Sequence, residues 1–310
     1  MPSRPRIILD CDPGHDDAIA LLMAGQLCDV IGVTPVSGNV KLELTSHNAL
    51  ITTQLLKLDI PVHAGASRPL VVPPVHAEFI HGESGLGGPT LPPLERQLAS
   101  HDGVRFIIDS ARHYDNLWIV ATGPLTNVAL ALRSAPDIQG RLQGIAIMGG
   151  SSSFGNVTPS AEFNIIADPE AAAIVFSSGV ALRMCGLNLT HQWMISSEDI
   201  ANIRAIGNAA AVFTADMLEF YANMYANKFF GKVEGPLHDP CAVLSVTHPE
   251  LFRFEARHVE VELHGQHTRG MTVVDERGVK SGAALNVDVA YQLDTTQAQA
   301  LLLECIRSYS

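Results

Sequence analysis

The sequence is short of positive charge. Its 310 residues hold 20 Lys and Arg against 32 Asp and Glu, a formal net charge of −12. Nucleic-acid backbones and anionic membranes attract basic surfaces, so neither is expected as a partner. Charge of either sign is sparse, at 17% of residues against 47% hydrophobic. A disordered chain needs the opposite balance, so that class is excluded. Long apolar runs are missing as well. No stretch approaches the ~20 apolar residues of a membrane span. The run at 7–9 is cut off by Asp10, too early for the core of a signal peptide. Cysteine is scarce and unpatterned: Cys11, Cys28, Cys185, Cys241 and Cys305 form neither a CxxC pair nor an even disulfide framework. They read as buried free thiols, with the cytoplasm as the expected compartment. Internal repeats and low-complexity tracts are also absent.

What is present is an alternation. Short apolar runs at 6–11, 30–36, 61–64, 116–121, 144–148 and 180–185 read as strands. Helical patterns at 16–26, 41–57, 124–132 and 168–177 separate them. Strands that are apolar throughout, with helices between, imply an open α/β fold with a mostly parallel sheet covered on both faces. Right-handed crossovers bring the loop after each strand to one edge, where ligands bind. Three stretches break the rhythm. Residues 68–93 are rich in Pro and Gly and long for a connector, so they are expected to form a mobile active-site loop. Residues 209–228 read as a long helix bearing Phe213, Phe220, Tyr221 and Tyr225. Residues 254–289 read as a small β-ribbon before a closing helix at 295–306. No linker is visible, so residues 1–310 are read as a single domain.

The acid surplus is concentrated in one place. Asp10, Asp12, Asp16 and Asp17 fall in the run DCDPGHDD, around a Pro-Gly turn that leads from strand to helix. A helix N-terminus favours a carboxylate, but a cap explains one of them, not four. Four close carboxylates repel unless a cation sits among them. A hard cation such as Ca²⁺ takes about 6–8 oxygens, and no His/Cys cluster suggests zinc. Other strand ends must complete such a shell. The turn around Thr122 offers a carbonyl, and Asp239, beside His238, offers a carboxylate.

DCDPGHDDAIA, ATGPLTNVA, IMGG, SAEFNIIADPEAA and HDPCAV, in this order and spacing, closely resemble the nucleoside hydrolases of the inosine–uridine-preferring group. The resemblance covers nearly the whole chain and implies the Rossmann-like fold of that family. It implies Ca²⁺ held by Asp12, Asp17, Asp239 and the Thr122 carbonyl, together with the ribose 2′- and 3′-hydroxyls and one water. Asp12 is then the general base on that water, and His238 protonates the leaving base. Cleavage passes through an oxocarbenium-like ribosyl, which the acidic cluster stabilises. Asp16, Asn39 and Asn164 are expected on the 2′- and 3′-hydroxyls. Asn156 and Glu162 are expected on the 5′-hydroxyl, and Met148 against the sugar. Asp239 would touch substrate as well as metal. Asp10 is expected to orient the loop, and His15 to be loop structure. Cys241 lacks a partnering base and is discounted as a nucleophile.

The base end is less legible. His81, in IHGESG, is expected to stack on the base or hydrogen-bond it. Pyrimidine-preferring relatives tend to carry a Tyr and a Gln on the helix before HDP. Here that stretch is ANKFFGKVEGPLHDP, so Phe229 and Phe230 offer stacking only, with Phe230 placed at the base. Tyr221 reads as helix core. Trp118 lies in a strand, leaving Trp193 as the tryptophan able to approach a base. The expected reaction is Ca²⁺-dependent hydrolysis of inosine, uridine and cytidine, by a homodimer or homotetramer. A pyrimidine-specific enzyme, a relative acting on nicotinamide riboside and a non-catalytic nucleoside-binding protein are the alternatives. An aspartyl-phosphate phosphatase also begins with DxD, but AEFN and HDP have no place in it.

Overall fold

Residues 6–11 carry three consecutive aliphatics, Ile7, Ile8 and Leu9, and all three are buried. A strand alternates its side chains, so Ile7 and Leu9 enter one core while Ile8 enters another on the opposite face. This is the signature of a central strand. The computed structural model, which describes residues 4–277 and 282–309 apart from the side chains of Phe229 and Phe230, places it so. Strands β1 (Arg6–Cys11), β2 (Asp29–Pro35), β3 (Leu117–Ala121), β4 (Leu142–Met148) and β5 (Leu182–Cys185) form a parallel array. Short strands β6 (Met194–Ser196) and β7 (Glu234–Pro236) pair with each other. Four more follow: β8 (Phe252–Arg257), β9 (Val259–Val261), β10 (Thr272–Val274) and β11 (Val287–Leu293). The main sheet runs β2-β1-β3-β4-β5-β11-β8, with β8 antiparallel at its edge.

The expected ribbon is therefore divided. Among its described residues β9 and β10 make a separate hairpin-like pair, while β8 and β11 extend the main sheet. Residues 61–64, expected as a strand, are reduced to isolated bridges from Val62 to β2 and from His63 to Ser100. Pro61 has no N–H to extend the ladder.

The described residues form twelve α-helices around the sheet: α1 (His15–Leu27), α2 (Leu42–Leu55), α3 (Glu78–His81), α4 (Gly103–His113), α5 (Thr126–Ser134), α6 (Phe163–Ala167), α7 (Pro169–Phe176), α8 (Leu187–Thr190), α9 (Ser197–Arg204), α10 (Ala209–Tyr225), α11 (Pro240–Thr247) and α12 (Thr295–Arg307). Helices α1, α2, α10, α11 and α12 pack one face, and α4, α5 and α7 pack the other. Helix α4 is absent from the pattern read in the sequence. After α10 the chain makes one π-type turn, Ala226–Phe230, closed by Gly231 at φ 64°. All five cysteines are buried free thiols. Among the described residues no helix is long and apolar enough to cross a membrane.

Candidate active site

The loops after β1 to β5 meet at the carboxyl edge of the sheet, and the acidic cluster lies there. From β1 the chain turns through Asp12, Pro13 and Gly14 into α1. Asp17, in the first turn of α1, accepts the Gly14 N–H at 3.0 Å and the Asp12 N–H at 3.3 Å. It does cap the helix, but the Thr122 hydroxyl, from the end of β3, also donates to it at 2.8 Å. Asn39, from the loop after β2, donates its backbone N–H to Asp12 Oδ2 at 2.6 Å. Its amide reaches the Asp12 carbonyl at 3.1 Å and Asp17 Oδ2 at 3.2 Å. Asp10 accepts from Thr34 at 2.6 Å and Asn127 at 2.9 Å, tying β1 to β2 and α5.

Four acids of the cluster are almost fully buried, Asp12 0%, Asp17 1%, Asp239 3% and Asp16 6% exposed, and of these Asp16 and Asp239 line the cavity. Asp16, Asp17 and Asp239 bring carboxylate oxygens within 4.8 Å of one another. Burial raises the Asp16 pKa to about 8, with Asp17 adding repulsion. Burial and then neighbouring carboxylates push Asp12 and Asp239 well above the carboxylate range. Burial also raises Asp17, and it lifts Asp10 to about 7. Among the described residues no Lys or Arg lines the cavity, so none of them supplies a counter-charge there. Asp12 Oδ1 is buried without a hydrogen-bond partner. All-oxygen donors, an orphaned carboxylate oxygen and uncompensated charge fit a hard divalent cation. The N-termini of α1 and α11 reinforce the cluster with their positive dipole ends, since Asp239 stands at the N-cap of α11.

Every polar residue expected on the sugar lines one cavity of about 220 Å³: Asp16, Asn39, Asn156, Glu162, Asn164 and Asp239. Met148 and Thr122 join them. Asn164 donates to the carbonyls of Thr122 at 2.8 Å and Met148 at 3.1 Å. Glu162 caps α6, accepting from Asn164 and Ile165, and also accepts the Gly150 N–H at 2.9 Å. Burial lifts its pKa to about 7. Asn156 accepts from the Phe163 N–H at 3.0 Å.

The other end of the cavity is aromatic. His238 is buried, with Nδ1 2.7 Å from the Thr190 hydroxyl and Nε2 3.2 Å from the Tyr225 hydroxyl. Burial, and then His191, hold its pKa well below the usual histidine range. His81, at the end of α3, sets Nδ1 3.0 Å from His15 Nδ1, and His15 Nε2 lies 2.8 Å from the Gly87 carbonyl. Burial lowers His15 to about 4 and holds His81 well below the usual histidine range. The 68–93 segment, which carries these contacts, is also tied by Leu70 N–H to Asp168 and by Asn48 to the Ser84 carbonyl. Phe79, with the Lys228 ammonium 3.3 Å from its ring centre, and Phe154 stand at the mouth, 43% and 40% exposed.

Trp193 does not approach the cavity. It is 2% exposed in the core, and its indole N–H donates to Gln299 at 2.9 Å. Tyr221, expected in the helix core, is buried with its hydroxyl on the Pro236 carbonyl at 3.0 Å, yet it also lines the cavity. The side chain of Phe230, expected at the base, lies outside the described residues. The sequence reading missed Thr190 and His191. Both follow β5 at the carboxyl edge, and that edge rule was the available signal.

The description "Inosine-uridine preferring nucleoside hydrolase" belongs to a family model that matches residues 7–300. The chain is 42% identical to a pyrimidine-specific ribonucleoside hydrolase, RihA, of Shewanella woodyi, over 99% of both chains. It is 41% identical to a pyrimidine-specific ribonucleoside hydrolase, RihB, of Escherichia coli, over 98% of this chain and 97% of the relative. Among solved structures it superposes on a purine-preferring ribonucleoside hydrolase from Gardnerella vaginalis with a TM-score of 0.92, at 34% identity and 98% coverage of each chain. With fold, acidic edge and these matches in agreement, the chain is a hydrolase and belongs to the inosine-uridine preferring nucleoside hydrolase family.

Proposed function

We propose that the protein hydrolyses the N-glycosidic bond of ribonucleosides of the inosine, uridine and cytidine class, releasing ribose and free base, with Ca²⁺ as its cation. One observation carries the reading: a buried acidic nest and a buried histidine face the same nucleoside-sized cavity. When bound, the cation offsets the carboxylates, holds the sugar diol and makes water more acidic. In this reading Asp12, Asp17, Asp239 and the Thr122 carbonyl hold it, with Asp16 close enough to assist.

The side chains divide the remaining work. Asn39 fixes Asp12 through Oδ2 and leaves Oδ1 to take the proton of the attacking water. Asp16, Asn39 and Asn164 receive the 2′- and 3′-hydroxyls, and Asn156 and Glu162 the 5′-hydroxyl, with Met148 under the sugar. Among the described residues no Lys or Arg lines the cavity, and together with the Glu162 carboxyl this disfavours a 5′-phosphate. Carboxylates held at short range stabilise the ribosyl cation as the bond breaks. As general acid, His238 is protonated at both ring nitrogens: Nδ1–H is held by the Thr190 hydroxyl, and the Nε2 proton passes to the leaving base, leaving a neutral imidazole beside the Tyr225 hydroxyl.

His238→Ala is expected to reduce kcat at least about 100-fold for inosine and uridine, whose bases leave poorly unprotonated. For 4-nitrophenyl riboside, whose leaving group departs as a stable anion, the loss should stay within a few fold. Equal losses on both would remove His238 from the proton path. Gly38 supplies a second test. A Cβ at Gly38 would stand 2.0 Å from Asp12 Oδ2, whereas one at Gly140 would meet nothing within 4 Å. Gly38→Ala is expected to cost about 100-fold in kcat by displacing the base, and Gly140→Ala to leave kinetics unchanged.

The test of the reading as a whole is a steady-state comparison of inosine, guanosine, uridine, cytidine and nicotinamide riboside, with and without a Ca²⁺ chelator. Release of ribose, lost to chelator and restored by Ca²⁺, is the expected result. Tight ribose binding without turnover of any substrate would favour a binding protein instead. A pyrimidine-specific enzyme is the second reading, favoured by the names of the RihA and RihB relatives. We infer a cytoplasmic homodimer or homotetramer from the free thiols and the resemblance, and light scattering reads the mass.

A further inference from the structure

His238 is the deepest residue of an aromatic wall. Next outward is His191, with ring centres 5.5 Å apart and planes at 47°. Beyond it is Phe154, whose ring meets His191 edge-on at 5.1 Å and 65°. Exposure grows along the row: His238 is 6% exposed, His191 is half-buried and Phe154 is 40% exposed. All three line the cavity. The row thus runs from the acidic end to the mouth.

This order has a geometric consequence, which rests on the reading above. The sugar occupies the acidic end, and the base leaves beside His238. A base ring is about as wide as the His238–His191 spacing, so its far edge lies against His191. We propose that His191 is a specificity-determining residue, which hydrogen-bonds the ring-edge nitrogen or exocyclic oxygen of the base. Burial lowers the His191 pKa, so the ring is neutral and offers one donor and one acceptor. Such a ring suits heteroaromatic bases, which present both kinds of group. Main-chain geometry supports the placement. Thr190, which holds His238, and His191 are consecutive at the end of α8, and the His191 N–H is anchored on the Leu187 carbonyl at 3.2 Å. One short helix therefore positions the proton donor and the base reader together.

The test uses the full-length protein with Ca²⁺ and three substrates: uridine, inosine and 4-nitrophenyl riboside. The nitrophenyl group carries no ring nitrogen or ring-edge carbonyl. His191→Phe keeps the edge contact with Phe154 and deletes the hydrogen bonds. It is expected to lower kcat/KM for both nucleosides at least tenfold and to change the uridine-to-inosine ratio at least threefold. Turnover of 4-nitrophenyl riboside should stay within twofold. His191→Asn keeps a donor and an acceptor and should recover part of the nucleoside activity. It also serves as the test variant if the Phe variant misfolds. Parallel losses on all three substrates, or unchanged nucleoside kinetics, would overturn the inference while leaving nucleoside hydrolysis intact. Wild-type protein inert on every nucleoside would instead overturn the function itself.

Discussion

Asp12→Asn is expected to lower kcat/KM for inosine and uridine by at least about a thousandfold, the loss typical of a removed general base. The amide preserves shape and still accepts the Asn39 N–H through its oxygen, so the pocket keeps its form. What disappears is the ability of Oδ1 to take a proton. The same substitution should stabilise the metal-free protein at neutral pH, because burial and then Asp17 disfavour the Asp12 carboxylate and an amide has no charge to bury. Lost activity with a raised melting temperature is a pairing that a merely structural role does not produce. Retention of most activity, read by release of reducing sugar, would sink the assignment.

Removing the cation should have the second largest effect, and its size should depend on pH. Burial holds Asp10 and Glu162 at about 7 and Asp16 at about 8, against ordinary values of 3.8 for Asp and 4.5 for Glu. In the metal-free fold these groups keep protons that the unfolded chain has released. Stability from them is therefore present below about pH 4 and is lost as pH rises toward 8. Histidines oppose this at the acid end. His15 is lowered to about 4, so its contribution is lost as pH falls below about 6.5. From pH 7.5 to 8.5 the histidines are largely neutral in both states and the acids dominate, so the metal-free protein should melt about 5 °C lower at the upper pH. Added Ca²⁺ competes with those protons, so its stabilisation should be greater at pH 8.5 than at 5.5. Scanning calorimetry with chelator and with Ca²⁺ reads both slopes. A pH-independent gain would mean that the cluster is not where the ion binds.

The acidic end was legible because its chemistry is packed into a continuous run. Asp10 to Asp17 declare a strand end, a turn and a helix start in eight residues. The rule that ligands gather at carboxyl ends of parallel strands then linked Thr122 and Asp239 to them. The base end was not legible for three physical reasons. Tyr221 and Tyr225 lie on a helix buried on most sides, where a 3.6-residue period cannot separate core from cavity lining. His191 owes its place to the His238 ring beside it, a contact 47 residues distant along the chain. Trp193 stands as a candidate in the sequence only because Trp118 lies in a strand, yet Gln299 of α12 covers its indole N–H. Strands β8 and β11 were likewise recognised as β but not assigned to the main sheet, because pairing is decided by a partner, β5, about a hundred residues earlier.

Strand β8 ends the sheet with Arg253, Glu255 and Arg257, which pair among themselves, and Glu276 joins Arg257. An open strand edge is a template for another chain. Here, growth of the sheet past β8 would trap those charges between two copies, at a desolvation cost that exposed ion pairs do not repay. The row acts as a gatekeeper against fibrous association.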